Sequence, residues 1–198
     1  MTQPPISLGE AHLTPLPEPT SSWRTGHDVQ FYDTEEFLVA SATTFLREGL
    51  RAGQPLIIIC TEGHRRGFIK ELALHPEHRI EGVEITWLDA RQTLAAFMNG
   101  RMPDPELFED TLGNVFEKVL AQRTYVVVRA YGEMVDLLWK DGNSEGAIAL
   151  EELWNGLAAK YSFNLLCAYS MGNFHKESRG TDIAAICKCH GRSNLMTA

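Results

Sequence analysis

Four apolar residues in succession, Leu56–Ile59, are bounded by Gly53 and Pro55 on one side and Gly63 on the other. A short β-branched run of this kind fits a strand buried on both faces, with a buried helix segment as the alternative that periodicity leaves open. At its carboxyl end the run turns into Cys60, Thr61, Glu62 and His64. In an open parallel sheet, ligands sit beyond the carboxyl ends of the strands. Glu62 and His64 are therefore the first candidates for a site.

The rest of the chain alternates strand and helix around this run. Asp28–Tyr32 reads as a strand and leads through Asp33 and Thr34, both good N-caps, into a helix whose apolar spacing runs from Phe37 to Leu50. Gly53 suits the C-cap of that helix. Arg65–Leu74 reads as a second helix, followed by a turn at His75–Arg79. Val83–Leu88 is a third strand with Asp89 at its end, and Arg91–Met98 a short helix. After a loop over Asn99–Pro105, Asp104-Pro105 is a start signal for an amphipathic helix: Asp as N-cap, Pro at the first helical position. Tyr125–Ala130 reads as a central strand, Glu145–Lys160 as a helix, Phe163–Tyr169 as a fifth strand and Thr181–Lys188 as a last helix. The connections are too long for hairpins. The pattern predicts an α/β three-layer sandwich with a mostly parallel central sheet.

Residues 1–22 hold five of the nine prolines and show no apolar period, which predicts a disordered arm. The folded domain is expected over 23–192 and a frayed tail over 193–198. A net charge of −8 argues against tracking a phosphate backbone, so no direct nucleic-acid binding is expected. No apolar run approaches the length that spans a membrane, and no basic-then-apolar leader opens the chain, so a cytoplasmic location is expected. Four cysteines (Cys60, Cys167, Cys187, Cys189) then read as reduced thiols rather than a disulfide framework.

The stretch HDVQFYDTEEFLVASATTFLREGLRAGQPLIIICTEGHRRGFIKEL resembles the MEDS domain, the methanogen/methylotroph sensory domain of dichloromethane-regulator type. The resemblance continues through WLDARQTLAAFMNGRMPDPELFEDTL, VVVRAYGEM and LLCAYSMGNF to AICKCH, roughly residues 27–190. It implies a RecA/KaiC-like fold in a signalling protein that senses small hydrocarbon derivatives. Relatives of that type are often fused to DNA-binding or histidine-kinase domains, so a module working with such a partner is implied here. A RecA-like ATPase needs a glycine-rich loop ending in Lys-Ser/Thr between its first strand and helix. The corresponding turn is Tyr32-Asp33-Thr34-Glu35-Glu36, with no glycine, no lysine and three acids, and it is expected beside the Leu56–Ile59 strand in the sheet. Those carboxylates repel a triphosphate. The phosphate loop is degenerate, and an ATPase is the less favoured reading.

Several strand ends carry polar or aromatic residues. Glu62, His64, Glu133, Asp89 and Arg91, with Tyr32, Tyr131 and Tyr169 as aromatic walls, could ring one ligand cleft. The plainer reading makes Glu62 a helix cap, His64 a solvated first-turn residue and the tyrosines core edges. His27 precedes its strand and reads as structural. Cys187, Cys189 and His190 form C-x-C-H, a weak metal candidate, because no second ligand pair stands at zinc-finger spacing. The plainer reading there is a helix end.

These observations predict a non-catalytic cytosolic sensor that needs no cofactor. It would bind a small organic ligand or a partner protein at the sheet's carboxyl edge. One alternative is a residual nucleotide-binding or hydrolytic enzyme using Glu62 and Glu133. Another is a partner-switching protein acting on a histidine kinase or transcription regulator. Apolar faces on the later helices allow a homodimer.

Overall fold

The computed structural model describes residues 25–73, 84–121, 123, 126–173 and 180–195. The arm expected over 1–22, the turn at His75–Arg79 and the start of the strand expected at Tyr125 lie outside those residues. In chain order, β1 (Gly26–Tyr32) leads to α1 (Glu35–Arg51), β2 (Leu56–Cys60), α2 (Glu62–Ala73), β3 (Ile85–Asp89) and α3 (Ala90–Phe97). A small hairpin of β4 (Met98–Asn99) and β5 (Met102–Pro103) follows where a loop was expected. Then come α4 (Pro105–Phe108), a π turn over Glu109–Gly113 and α5 (Asn114–Leu120), continuous as one helical stretch. The chain closes with β6 (Val128–Gly132), α6 (Met134–Lys140), α7 (Ser144–Ala158), β7 (Phe163–Ser170), α8 (Gly180–Cys189) and β8 (Arg192–Leu195).

The main sheet has the order β3-β2-β6-β7-β1-β8, and its pairings are all parallel. Parallel strands send their carboxyl ends to one edge, so Tyr32, Cys60, Asp89, Gly132 and Ser170 end on the same side of the molecule. Helices cover both faces. Leu56 and Ile58 of β2 pack with Leu38, Ala42 and Leu46 of α1 and Phe68 of α2. Ile57 and Ile59 point the other way, into a core with Phe97, Phe108, Phe116, Trp139, Trp154 and Ile186. This is the three-layer α/β sandwich that the alternation predicts. Each of these four β2 side chains is wholly buried, which contributes roughly 1.5–3 kcal/mol apiece.

Local chemistry accounts for the element ends. Thr34, not Asp33, caps α1, its side chain accepting the Phe37 N–H. Gly53 sits beyond the end of α1 at φ +65, a conformation that disfavours residues with a Cβ. Asp104 accepts the N–H groups of Glu106 and Leu107, with Pro105 at the first helical position. Two expectations need correction. The tail expected to fray from residue 193 begins in β8, which pairs with the open edge of β1 through Asp28↔Arg192 to Phe31↔Leu195. The acidic turn after β1 was expected beside β2. Instead β6 and β7 stand between those strands.

Candidate functional site

At the carboxyl edge, the register of β6 on β2 sets Gly132 opposite Ile59, and the Glu133 N–H donates to the Ile59 carbonyl at 3.2 Å. Glu133 thereby stands against the turn that starts α2. One of its carboxylate oxygens accepts the backbone N–H of Thr61. The other accepts the Tyr131 hydroxyl at 3.1 Å and lies 2.5 Å from His64 Nδ1. The opposite nitrogen of His64, Nε2, meets the carboxylate of Glu35 in the first turn of α1. One imidazole thus ties α1, α2 and the β6–α6 junction.

Electrostatics fix the protonation of this group. Burial opposes a charge on His64, but Glu133 and Glu35 outweigh it and raise its pKa to about 9. Burial also opposes ionisation of Glu133, yet His64 and the Thr61 N–H hold it below the usual carboxylate range. At neutral pH the arrangement is an imidazolium between two carboxylates. Neighbouring Cys60 is pushed up to about 12 by burial and by Glu133, so its thiol is not an activated nucleophile.

A second polar group adjoins it. Asp136 of α6 accepts the Tyr32 hydroxyl at 2.9 Å and the Ser170 N–H at 2.8 Å, and pairs with Lys140 at 2.7 Å. Lys140 also donates to the Tyr32 hydroxyl at 3.1 Å. Between the two groups and α2 lies a cleft of about 840 Å³. Six carboxylates line it (Glu35, Glu36, Glu62, Glu71, Glu133, Asp136) against Lys70, Arg91, Lys140 and His64.

Of the residues singled out in the sequence, Glu62, His64, Arg91 and Glu133 line this cleft. Tyr32 and Tyr131 do not form its walls; both are buried beneath it and bind its carboxylates through their hydroxyls. Asp89 is used as the N-cap of α3, accepting the Gln92 N–H at 2.8 Å. Tyr169 faces the opposite layer, where its hydroxyl donates to Glu151 at 2.7 Å. Sequence reading passed over Asp136 and Lys140 as site residues, although their i,i+4 spacing after a strand end was a readable sign of a paired helix face. It treated Glu35 only as part of the repelling turn.

Tyr169 belongs to a separate buried group. Glu151 of α7 is fully buried and lies 3.1 Å from His27 Nε2, 3.3 Å from Cys167 Sγ and 3.4 Å from His190 Nε2. Burial pushes the Glu151 carboxyl up, but His190 and His27 hold it down at about 2. The His190 ring of the C-x-C-H motif thus lies against His27, ring centres 4.1 Å apart, and groups with Cys167 rather than with the thiols of Cys187 and Cys189. The Cys189 thiol instead donates to the Ala185 carbonyl.

Residues 26–191 match the family described as MEDS: MEthanogen/methylotroph, DcmR Sensory domain. No curated protein matches the chain significantly. Among the described residues, no helix is long and apolar enough to cross a membrane.

Proposed function

This chain belongs to the MEDS family of sensory domains, and on that footing we propose that it is a non-catalytic sensor whose carboxyl-edge cleft binds a small organic ligand. The observation that carries this reading is His64, held between Glu35 of α1 and Glu133 after β6. A ligand that takes one of those bonds changes how two helices are held on the sheet. Only such a differential contact can shift a protein between states. The excess of carboxylates in the cleft favours neutral or cationic ligands with hydrogen-bond donors over anions. The Asp33-Thr34 connection, without glycine or lysine, offers no phosphate cradle, which supports a RecA/KaiC-like fold that has lost ATP hydrolysis.

A thermal-shift screen of small organic compounds and nucleotides tests this. The expected result is stabilisation by an organic compound and none by Mg–ATP. An ATP-dependent shift that disappears in Glu62→Ala would favour a residual nucleotide enzyme. A second reading, a partner-switching module acting on a histidine kinase or transcription regulator, draws on Met102 and Leu107, large apolar side chains exposed at 43% and 44%. Recovery of such a regulator by pull-down, with no ligand shift, selects it.

A further inference from the structure

We infer that His27, Glu151, Cys167 and His190 form a metal site for a divalent transition ion of zinc type, on the far face of the sheet and independent of the cleft. The four side chains come from β1, α7, β7 and the residue that follows α8. Each offers one ligand atom, all are buried, and those atoms lie within 4.8 Å of one another. Two imidazoles, a thiolate and a carboxylate are ligands of zinc type.

The outer contacts aim both imidazoles inward. His27 Nδ1 lies 2.9 Å from Asn155 Oδ1, and the orientation of that amide is fixed because its nitrogen donates to the Cys189 carbonyl at 3.0 Å. His190 Nδ1 lies 2.6 Å from the Ile186 carbonyl. Both partners accept, so each Nδ1 carries hydrogen, and in the neutral imidazole each Nε2 then presents a lone pair to the cluster. A hydrogen bond from Nδ1 to a carbonyl is the usual outer contact of a metal-bound histidine.

Inside the cluster, acceptors outnumber donors. Two Nε2 lone pairs and two carboxylate oxygens face one thiol hydrogen and the Tyr169 hydroxyl. His190 Nε2 is buried and, among the described residues, meets only Glu151 at 3.4 Å, outside good hydrogen-bond geometry. Protonation of both histidines would supply hydrogens, but a charge-assisted N–H···O bond closes to about 2.7–2.9 Å. The observed separations from Glu151 are 3.1 Å to His27 and 3.4 Å to His190. A tetrahedral site with metal–ligand distances of about 2.0–2.3 Å has ligand–ligand edges of about 3.4 Å. The separations around Glu151, 3.1–3.4 Å, match such edges, and the ligand atoms, all within 4.8 Å of one another, need to draw in by about 1 Å at most to close on one ion. Zinc entering the cluster displaces the Cys167 thiol proton to solvent and leaves a neutral site: two positive charges against one thiolate and one carboxylate. The ion would pin the end of α8 to the sheet.

The test uses the full chain, stripped with a chelator and titrated with Co(II). The expected result is one ion per chain, with the visible bands of a tetrahedral site and a thiolate-to-cobalt charge-transfer band. Cys167→Ser removes the charge-transfer band, and Asn155→Ala weakens binding about tenfold without touching a ligand. Zn(II) raises Tm and a chelator reverses it, a readout that needs no variant. A charge-transfer band that persists in Cys167→Ser assigns the metal to other thiols and overturns the proposal. So does a Tm indifferent to both Zn(II) and chelator, the behaviour of a proton-sharing network.

Discussion

His64 Nδ1 and Glu133 Oε2 stand 2.5 Å apart across 69 residues of sequence, and the same imidazole reaches Glu35 through its other nitrogen. This contact joins the two helices of one layer to the strand beneath them, so its strength should register in the stability of the whole domain.

That strength depends on pH. The folded-state pKa of His64 is raised from 6.5 to about 9, so its contribution is fully present below pH 6.5 and is lost as pH rises through 9. The lowered pKa of Glu133 adds an acid limb: its contribution is present above the ordinary carboxyl value and lost as pH falls through the folded one. Urea denaturation across pH should show a decline on the order of 2–3 kcal/mol between pH 6.5 and 9. The decline should flatten in His64→Gln. An equal slope in that variant would assign it to another group.

Glu133→Ala removes the acceptor of the Thr61 N–H, the Tyr131 hydroxyl and His64 together. Buried donors left without partners make this costly, on the order of 3 kcal/mol by urea midpoint. Glu133→Gln keeps an acceptor and should lose less.

Gly49 of α1 lies so close to the sheet that an added Cβ would sit 2.8 Å from a Leu56 methyl and 2.9 Å from Arg129 Cδ. Helix propensity alone favours alanine there by about 1 kcal/mol. Overpacking against β2 outweighs it, and Gly49→Ala should lower stability by about 1–2 kcal/mol. A raised Tm would show that α1 can lift away from the sheet freely.

Much of this architecture was readable before any coordinates. β2 runs Leu56–Cys60, directly after Pro55, because the turn residues and the apolar run bracket it closely. The Asp104-Pro105 helix start was legible because capping is local chemistry. Strand order was not, since it depends on which faces meet after collapse; this is why the β1 turn was placed beside β2. Tyr169 was assigned to the wrong side although period two was available: Leu165, Cys167 and Tyr169 share one face and Leu166 and Ala168 the other. β8 had no signal, because Arg-Ser-Asn-Leu becomes a strand through the free edge of β1 rather than through its own pattern. The His27–Glu151–Cys167–His190 group was hidden for the same reason: its members come from elements that only the fold brings together.

Calorimetric titration of the organic compound selected by the screen, in parallel with Mg–ATP, tests the central claim most directly when repeated on Glu35→Gln. Glu35 is largely exposed, with 63% of its side chain accessible, so this variant keeps its core. The account predicts that the compound binds the unmodified chain, that Glu35→Gln weakens it by about tenfold, and that Mg–ATP gives no heat of binding. Tight binding of Mg–ATP, or an organic ligand whose affinity is unchanged in Glu35→Gln, would contradict it.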